Sequence, residues 1–180
     1  MAGLLLSTGR LTLRPFREVD LAALQQIGNR PEVARMMASI PLPWHLDAVR
    51  AWVAAGAWRG LPDFRFGVFD SDNRLIGAIG LEGRPPALSF FLTPDCWGRG
   101  YASEALEALL DFVFGRFSDL AEVTAEHLED NPASGAVLRK SGFVEAGQST
   151  CRSSARVEAG ASRVYRLTRQ AHKAQHDEIS

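Results

Sequence analysis

Residues 93–105, Thr93-Pro-Asp-Cys-Trp-Gly-Arg-Gly-Tyr-Ala-Ser-Glu-Ala105, hold the most informative stretch of the chain. The apolar run before it, Ala87-Leu-Ser-Phe-Phe-Leu-Thr93, reads as a strand that stops at Pro94. After it, Ala102, Leu106, Leu109, Leu110, Val113 and Phe117 recur at helical spacing, with Glu104, Glu107 and Asp111 elsewhere on the surface. Gly98 and Gly100 therefore fall in a strand-to-helix turn, where glycine permits unusual φ values and close backbone approach to a ligand. The first N–H groups of the helix, around Gly100, Tyr101 and Ala102, have no intrahelical partners and lie at its positive dipole end. That arrangement suits a phosphate or pyrophosphate. A tight turn with nothing bound fits the same residues. A P-loop is excluded, because no Gly-Lys-Ser/Thr is present. The dinucleotide fingerprint lacks its third glycine, Ser103 standing there, although Asp119 has the spacing of a ribose contact.

Upstream, Leu11 and Leu13 predict a first strand over Arg10–Arg14, closed by Pro15. Leu21, Leu24 and Ile27 predict a helix over Val19–Ile27, and Pro31 opens a short turn through Met37. Asp47–Trp58 reads as a further helix. Phe64–Phe69 and Arg74–Leu81 read as strands joined through Asp70-Ser-Asp-Asn73. Downstream come a strand over Ala121–Leu128, a helix over Pro132–Ser141, and strands over Phe143–Gln148 and Arg163–Thr168. Asn131 before Pro132 is a good N-cap, and Gly142 reads as a left-handed stop with Phe143 packing back. This is a mixed α/β (α+β) order in one domain over residues 1–169, with a polar tail over 170–180 expected to be mobile.

A length of 180 residues matches one domain, and 46% hydrophobic with 23% charged residues is the mix of a soluble globular protein. Lys plus Arg number 20 against 21 acidic residues, without the basic excess of a dedicated nucleic-acid binder. Two cysteines, Cys96 and Cys151, make no disulfide framework, and no Cys/His spacing matches a zinc site. No metal is expected. The opening Met1-Ala-Gly-Leu-Leu-Leu lacks a basic n-region, and no apolar run approaches the roughly 18–20 residues of a bilayer span. A cytoplasmic protein with neither membrane nor nucleic-acid partner is the expectation.

Three ordered blocks, Trp97-Gly-Arg-Gly-Tyr-Ala-Ser-Glu-Ala105, Asn131-Pro-Ala-Ser134 and Arg139-Lys-Ser-Gly-Phe143, resemble the GNAT N-acetyltransferase superfamily. The opening Gly9-Arg-Leu-Thr-Leu-Arg-Pro-Phe16 is similar to its branch related to ribosomal-protein-alanine N-acetyltransferases. The resemblance spans Arg10 to Arg169. It implies a central, mostly antiparallel sheet, splayed in the middle and flanked by helices, with acetyl-CoA wedged in the split as co-substrate. Leu88–Leu92 would pair its backbone with the pantetheine arm, and N–H groups near Phe91 and Leu92 would meet the oxyanion. Trp97, Gly98, Arg99, Gly100, Tyr101 and Ala102 would hold the pyrophosphate, mainly through backbone N–H groups. Asn131 and Ser134 would hydrogen-bond toward the cofactor. The implied reaction is acetyl transfer to a primary amine, either a protein N-terminal α-amine or a small molecule, by direct attack in a ternary complex. A homodimer would suit this branch. The alternative is a non-catalytic acyl-CoA-binding regulatory module of the same fold.

Two departures bear on the chemistry. Leu138 stands where many members carry a tyrosine general acid, and Ala87 where related sequences often carry a glutamate. Ser141 is then the nearby hydroxyl, and Glu82, at the end of the preceding strand, is a candidate base through a water relay. Glu126 and His127 on the next strand are further candidates, although His127 shares parity with Val123 and Ala125 and so reads as packed. Cys96 belongs to the phosphate turn, which leaves no activated nucleophile for an acetyl-enzyme. Trp44, Trp52 and Trp58 either shape an acceptor site or fill the core. A weak base suffices for an α-amine of pKa about 7.7–8.0, which is roughly a tenth neutral at pH 7; a lysine is about 0.04% neutral.

Overall fold

The computed structural model describes residues 4–177. The strands are β1 (Leu6–Ser7), β2 (Thr12–Arg14), β3 (Phe64–Phe69), β4 (Leu75–Glu82), β5 (Ala87–Leu92), β6 (Glu122–Leu128), β7 (Val144–Cys151) and β8 (Gly160–Thr168). The helices are α1 (Leu21–Gly28), α2 (Pro31–Ala34), α3 (Leu46–Ala55), α4 (Tyr101–Arg116), α5 (Pro132–Lys140) and α6 (Arg169–Asp177). The strands form one sheet in the order β1-β2-β3-β4-β5-β6-β8-β7.

Every neighbouring pair is antiparallel except β5 and β6. Those two run parallel and pair only through Ala87 with Thr124 and Leu88 with Ala125. The ladder then stops, and the remaining halves, residues 89–92 and 126–128, line a cavity instead. The sheet is thus two antiparallel arms, β1–β5 and β6–β8, joined by a two-residue seam. This is the splay expected from the sequence.

What keeps the arms together lies beneath them. The buried residues Leu106, Leu109, Leu110 and Val113 of α4 share one core with Leu88 and Leu92 of one arm and Val123, Tyr165 and Leu167 of the other. At about 1.5–3 kcal/mol per fully buried large apolar side chain, this layer outweighs the sparse seam. On the opposite face α1 and α3 cover β3–β5 around Trp44, Trp52 and Phe91. Trp44 is 1% exposed and meets Trp52 edge-on at 5.5 Å, while Trp58 packs against Phe64 and Phe112. Trp44 and Trp52 are core residues, and Trp58 is partly buried against the core.

A buried ion pair ties β2 to the entry of α1. Arg14 donates to both Asp20 oxygens at 2.8 and 3.1 Å, and the Arg17 N–H adds a third bond at 2.7 Å. Burial pushes the Asp20 carboxyl up, but the Arg14 and Arg17 hydrogen bonds and charges outweigh it and hold its pKa below the usual carboxylate range.

The tail departs from expectation. Residues 169–177 are helical, and 178–180 lie outside the described residues. The physical reason is capping across elements. Arg169 donates to the carbonyls of Phe114, Phe117 and Leu120, at and just beyond the C-terminal end of α4. His172 is buried with its ring 5.0 Å from Phe114.

Candidate active site

The split in the sheet opens a cavity of about 1010 Å³, lined by β5, β6, the turn before α4, the start of α5, the α2 region and the end of β7. One side is built from main chain. β4 satisfies one edge of β5, but beyond Leu88 no strand among the described residues pairs with the other edge. At its end the Trp97 indole N–H donates to the Leu92 carbonyl at 2.8 Å, pinning the turn to the strand while the ring stays half exposed.

Gly98 and Gly100 have φ of 71° and 79°, the left-handed region. A Cβ on Gly98 would meet nothing within 4 Å, and on Gly100 only Arg10 Nη2 at 3.5 Å. The turn therefore needs glycine for its backbone, and the space above it is open. Gly100 is the N-cap of α4 without a side-chain cap, so the helix dipole end faces that space.

Arg10, which sequence reading did not single out, braces the same turn. Its Nη1 donates to the Arg99 carbonyl at 3.1 Å, its Nε to Glu104 at 2.7 Å, and its guanidinium lies 4.6 Å from the Tyr101 ring centre. Burial pushes Glu104 up, but the Thr8 and Arg10 hydrogen bonds bring its pKa below the usual range. Arg99 is exposed on the turn and does not line the cavity; Phe91, Leu92, Trp97, Gly98, Gly100, Tyr101 and Ala102 do. Asn131 and Ser134 also line it, and Asn131 Oδ1 accepts the Ser134 N–H at 3.3 Å as the α5 N-cap. The cap thus sits at the cavity wall.

The other side carries charge. Glu82 lines the cavity in an ion pair with Arg65, whose Nη1 donates to the Trp52 carbonyl at 3.0 Å. Glu126 accepts the Ser162 hydroxyl. The Cys151 thiol is pushed up, first by burial and then by the Glu126 charge. His127 is 7% exposed, its Nδ1 lying 2.8 Å from the Leu128 carbonyl and its Nε2 3.3 Å from the Tyr165 hydroxyl. It is the packed histidine that its parity suggests. Ser141 is not brought to the site: it caps the far end of α5 and does not line the cavity.

The β7–β8 connection closes the wall opposite α2. Ser153 Oγ donates to the Ala34 and Met37 carbonyls at 3.1 and 2.8 Å. Arg156 donates to the Arg35 carbonyl at 2.6 Å and to Asp130 at 2.8 and 3.0 Å. These bonds link residues more than a hundred positions apart, or loops without periodicity, so no sequence pattern announces them.

The sequence profile of the acetyltransferase (GNAT) domain matches residues 10–144. The chain belongs to the GNAT acetyltransferase family. YoaA of Bacillus subtilis (strain 168), named as an N-acetyltransferase, is 27% identical over 150 residues, 79% of this chain and 84% of the relative. An acetyltransferase of the GNAT family from Bacillus anthracis superposes with a TM-score of 0.78 at 22% identity, over 93% of this chain and 99% of its own. RimL, a ribosomal L7/L12 α-N-protein acetyltransferase in complex with coenzyme A, gives 0.75 at 17% identity, over 92% and 98%. Both structures share the fold.

GNAT enzymes use acetyl-CoA, and the residues present fit that group. A strand edge without a partner, an open left-handed turn and an unblocked helix N-terminus border one cavity of sufficient size. No group of three His, Cys, Asp or Glu among the described residues could hold a metal ion, and no helix among them is long and apolar enough to cross a membrane. Trp97→Phe removes the indole bond to Leu92 while keeping an aromatic ring at the cavity. It is expected to weaken acetyl-CoA binding by about 5–10-fold, the worth of one hydrogen bond of about 1 kcal/mol, measured by calorimetry. Unchanged affinity would show that the turn is held without it.

Proposed function

We propose that the chain transfers the acetyl group of acetyl-CoA to a primary amine, a protein N-terminal α-amine or a small-molecule amine, by direct attack in a ternary complex. The observation that carries this reading is the shared cavity: the unpaired β5 edge and the glycine turn open into the same space as the carboxylates of Glu82 and Glu126. The free edge of β5 would pair with the pantetheine arm, and its N–H groups near Phe91 and Leu92 would meet the developing oxyanion. The turn Trp97–Ala102, with Arg10 and Arg99 beside it, would hold the pyrophosphate, and Asn131 and Ser134 would face the cofactor from the second arm.

Direct attack suits the cysteines. Cys96 is 1% exposed in the turn Pro94–Cys96, next to the proposed phosphate site rather than the thioester. Glu82 is engaged by Arg65, and an α-amine, already partly neutral at pH 7, asks least of whichever group takes its proton. We place the protein in the cytoplasm as a homodimer, the latter to be checked by light scattering.

Calorimetry with acetyl-CoA, CoA and NAD, followed by thiol release with an acceptor series, tests the reading. Acetyl-CoA binds and NAD does not. At pH 7 an N-terminal α-amine turns over at least tenfold faster than a lysine side chain in an otherwise matched peptide, since the neutral fractions differ by on the order of 10²-fold. A faster lysine peptide would sink the choice of acceptor. Tight acetyl-CoA binding without turnover of any amine would instead support a non-catalytic acyl-CoA-binding module.

A further inference from the structure

Three side chains compete for the acceptor's proton, and the strand register separates them. Glu82 lies opposite Ala87, and Ala87 opposite Thr124. These residues therefore share a face, and alternation adds Ser89, Phe91 and Glu126 to it. Phe91 packs 6.2 Å from Trp52, which makes this the α1–α3 face of the sheet. His127 points the other way, under α5, where a Cβ on Gly135 would come within 2.5 Å of its Nε2. Both its nitrogens are engaged, so it is a structural side chain.

The two carboxylates differ in their partners. Glu82 faces Arg65, a guanidinium fixed by the Trp52 carbonyl and lying 4.5 Å from the Trp52 ring centre, so its charge is compensated. Glu126 has the neutral Ser162 hydroxyl, itself fully buried, and no ion-pair partner among the described residues. It also follows directly on Ala125, the last paired residue of the seam, and so stands at the vertex of the split, exposed to the cavity. An uncompensated carboxylate at that point attracts an ammonium and can accept its proton, with Ser162 fixing its orientation.

We propose that Glu126, not Glu82, is the catalytic carboxylate, and that it selects an acceptor arriving as an ammonium. This rests on the acetyltransferase reading above. Glu126 takes one proton from the ammonium, directly or through a water, and passes it to solvent. The nitrogen lone pair forms the C–N bond to the acetyl carbon, and the C–S bond breaks with its electrons going to sulfur. A second nitrogen proton ends on the CoA thiolate, leaving the amide and the free thiol.

The test compares Glu126→Gln and Glu82→Gln with the parent protein on two acceptors, an N-terminal α-amine peptide and an amine already neutral at pH 7. Calorimetry shows acetyl-CoA affinity within threefold of the parent for both variants. Glu126→Gln lowers kcat/KM on the ammonium acceptor by about 10²–10⁴-fold, the usual span for a general base, and on the neutral amine by less than tenfold. Glu82→Gln costs less than tenfold on either, and Glu126→Asp recovers part of the loss. A structural role for Glu126 would cut both acceptors alike and overturn the assignment, as would a larger loss in Glu82→Gln. A parent that binds no acetyl-CoA overturns the acetyltransferase reading itself, a result distinct from either variant's behaviour.

Discussion

Asp20→Asn is expected to cost about 3–5 kcal/mol of stability, because it leaves Arg14 buried without its counter-charge. The two side chains are 9% and 8% exposed, and the guanidinium also lies 3.7 Å from the Phe69 ring centre, so neither can turn to water without dislodging β2 and the entry to α1. For a chain of this length each kcal/mol moves Tm by about 2–4 °C, so a drop on the order of 10 °C follows. Replacing both partners by apolar residues of similar volume should cost less than the single change, because nothing charged is then stranded. The pair also sets an acid limit. The folded Asp20 pKa is below its unfolded value of about 3.9, so its contribution is complete above that value and is lost as pH falls through the lower, folded one. Chemical denaturation from pH 7 down to pH 2 measures both effects. An Asp20→Asn protein within 1 kcal/mol of the parent at pH 7 would falsify this account of the pair.

The second large effect is expected at Gly77, on β4 opposite Leu92. A Cβ there would stand 2.1 Å from the Phe91 carbonyl oxygen and 2.9 Å from the Leu92 Cα. Both are backbone, and no rotamer change relieves them. Overpacking commonly costs about 1–3 kcal/mol, and an obstacle made of main chain belongs at the top of that range or above. The displaced segment is the end of β5, whose last carbonyl holds Trp97 and whose outer edge borders the cavity. Gly77→Ala is therefore expected to lower Tm by about 10 °C and to weaken acetyl-CoA binding tenfold or more in whatever folds. Gly98→Ala is the control. It meets no atoms, carries only the roughly 1 kcal/mol conformational cost of a left-handed alanine, and lowers Tm by only about 2–4 °C. Parent-like stability and affinity in Gly77→Ala would show that β5 can shift without consequence.

How far the chain could be read beforehand follows from how local each feature is. The strand, turn and helix around Gly98 and Gly100 were legible because glycine conformation, proline stops and helical spacing act over a dozen residues. The Asn131-Pro132 cap was legible for the same reason, and the amide does accept the Ser134 N–H. Glu82 reads from sequence as a candidate base through a water relay, and only the structure brings Arg65 across from β3 to pair with it. Ser141 looked available because it is near the stop at Gly142, yet the helix axis carries it away from the cavity. The helix over 169–177 escaped a reading based on polar composition, since one arginine reaching three carbonyls and one buried histidine anchor it. The resemblance to known sequences supplied the splay, which no single strand reveals.

The two-residue seam between β5 and β6 has an evolutionary consequence. If the open edge of β5 grips acetyl-CoA as proposed, it does so with amide and carbonyl groups that every residue type except proline presents alike. The half-buried side chains of Ser89 and Phe90 can then drift, and with them the shape and charge offered to the second substrate, while the main-chain hold on the first stays as it is. A fold that recognises its common donor through main chain is free to explore acceptors one point mutation at a time. The departures at Ala87 and Leu138 would then change the chemistry and leave that main-chain grip in place.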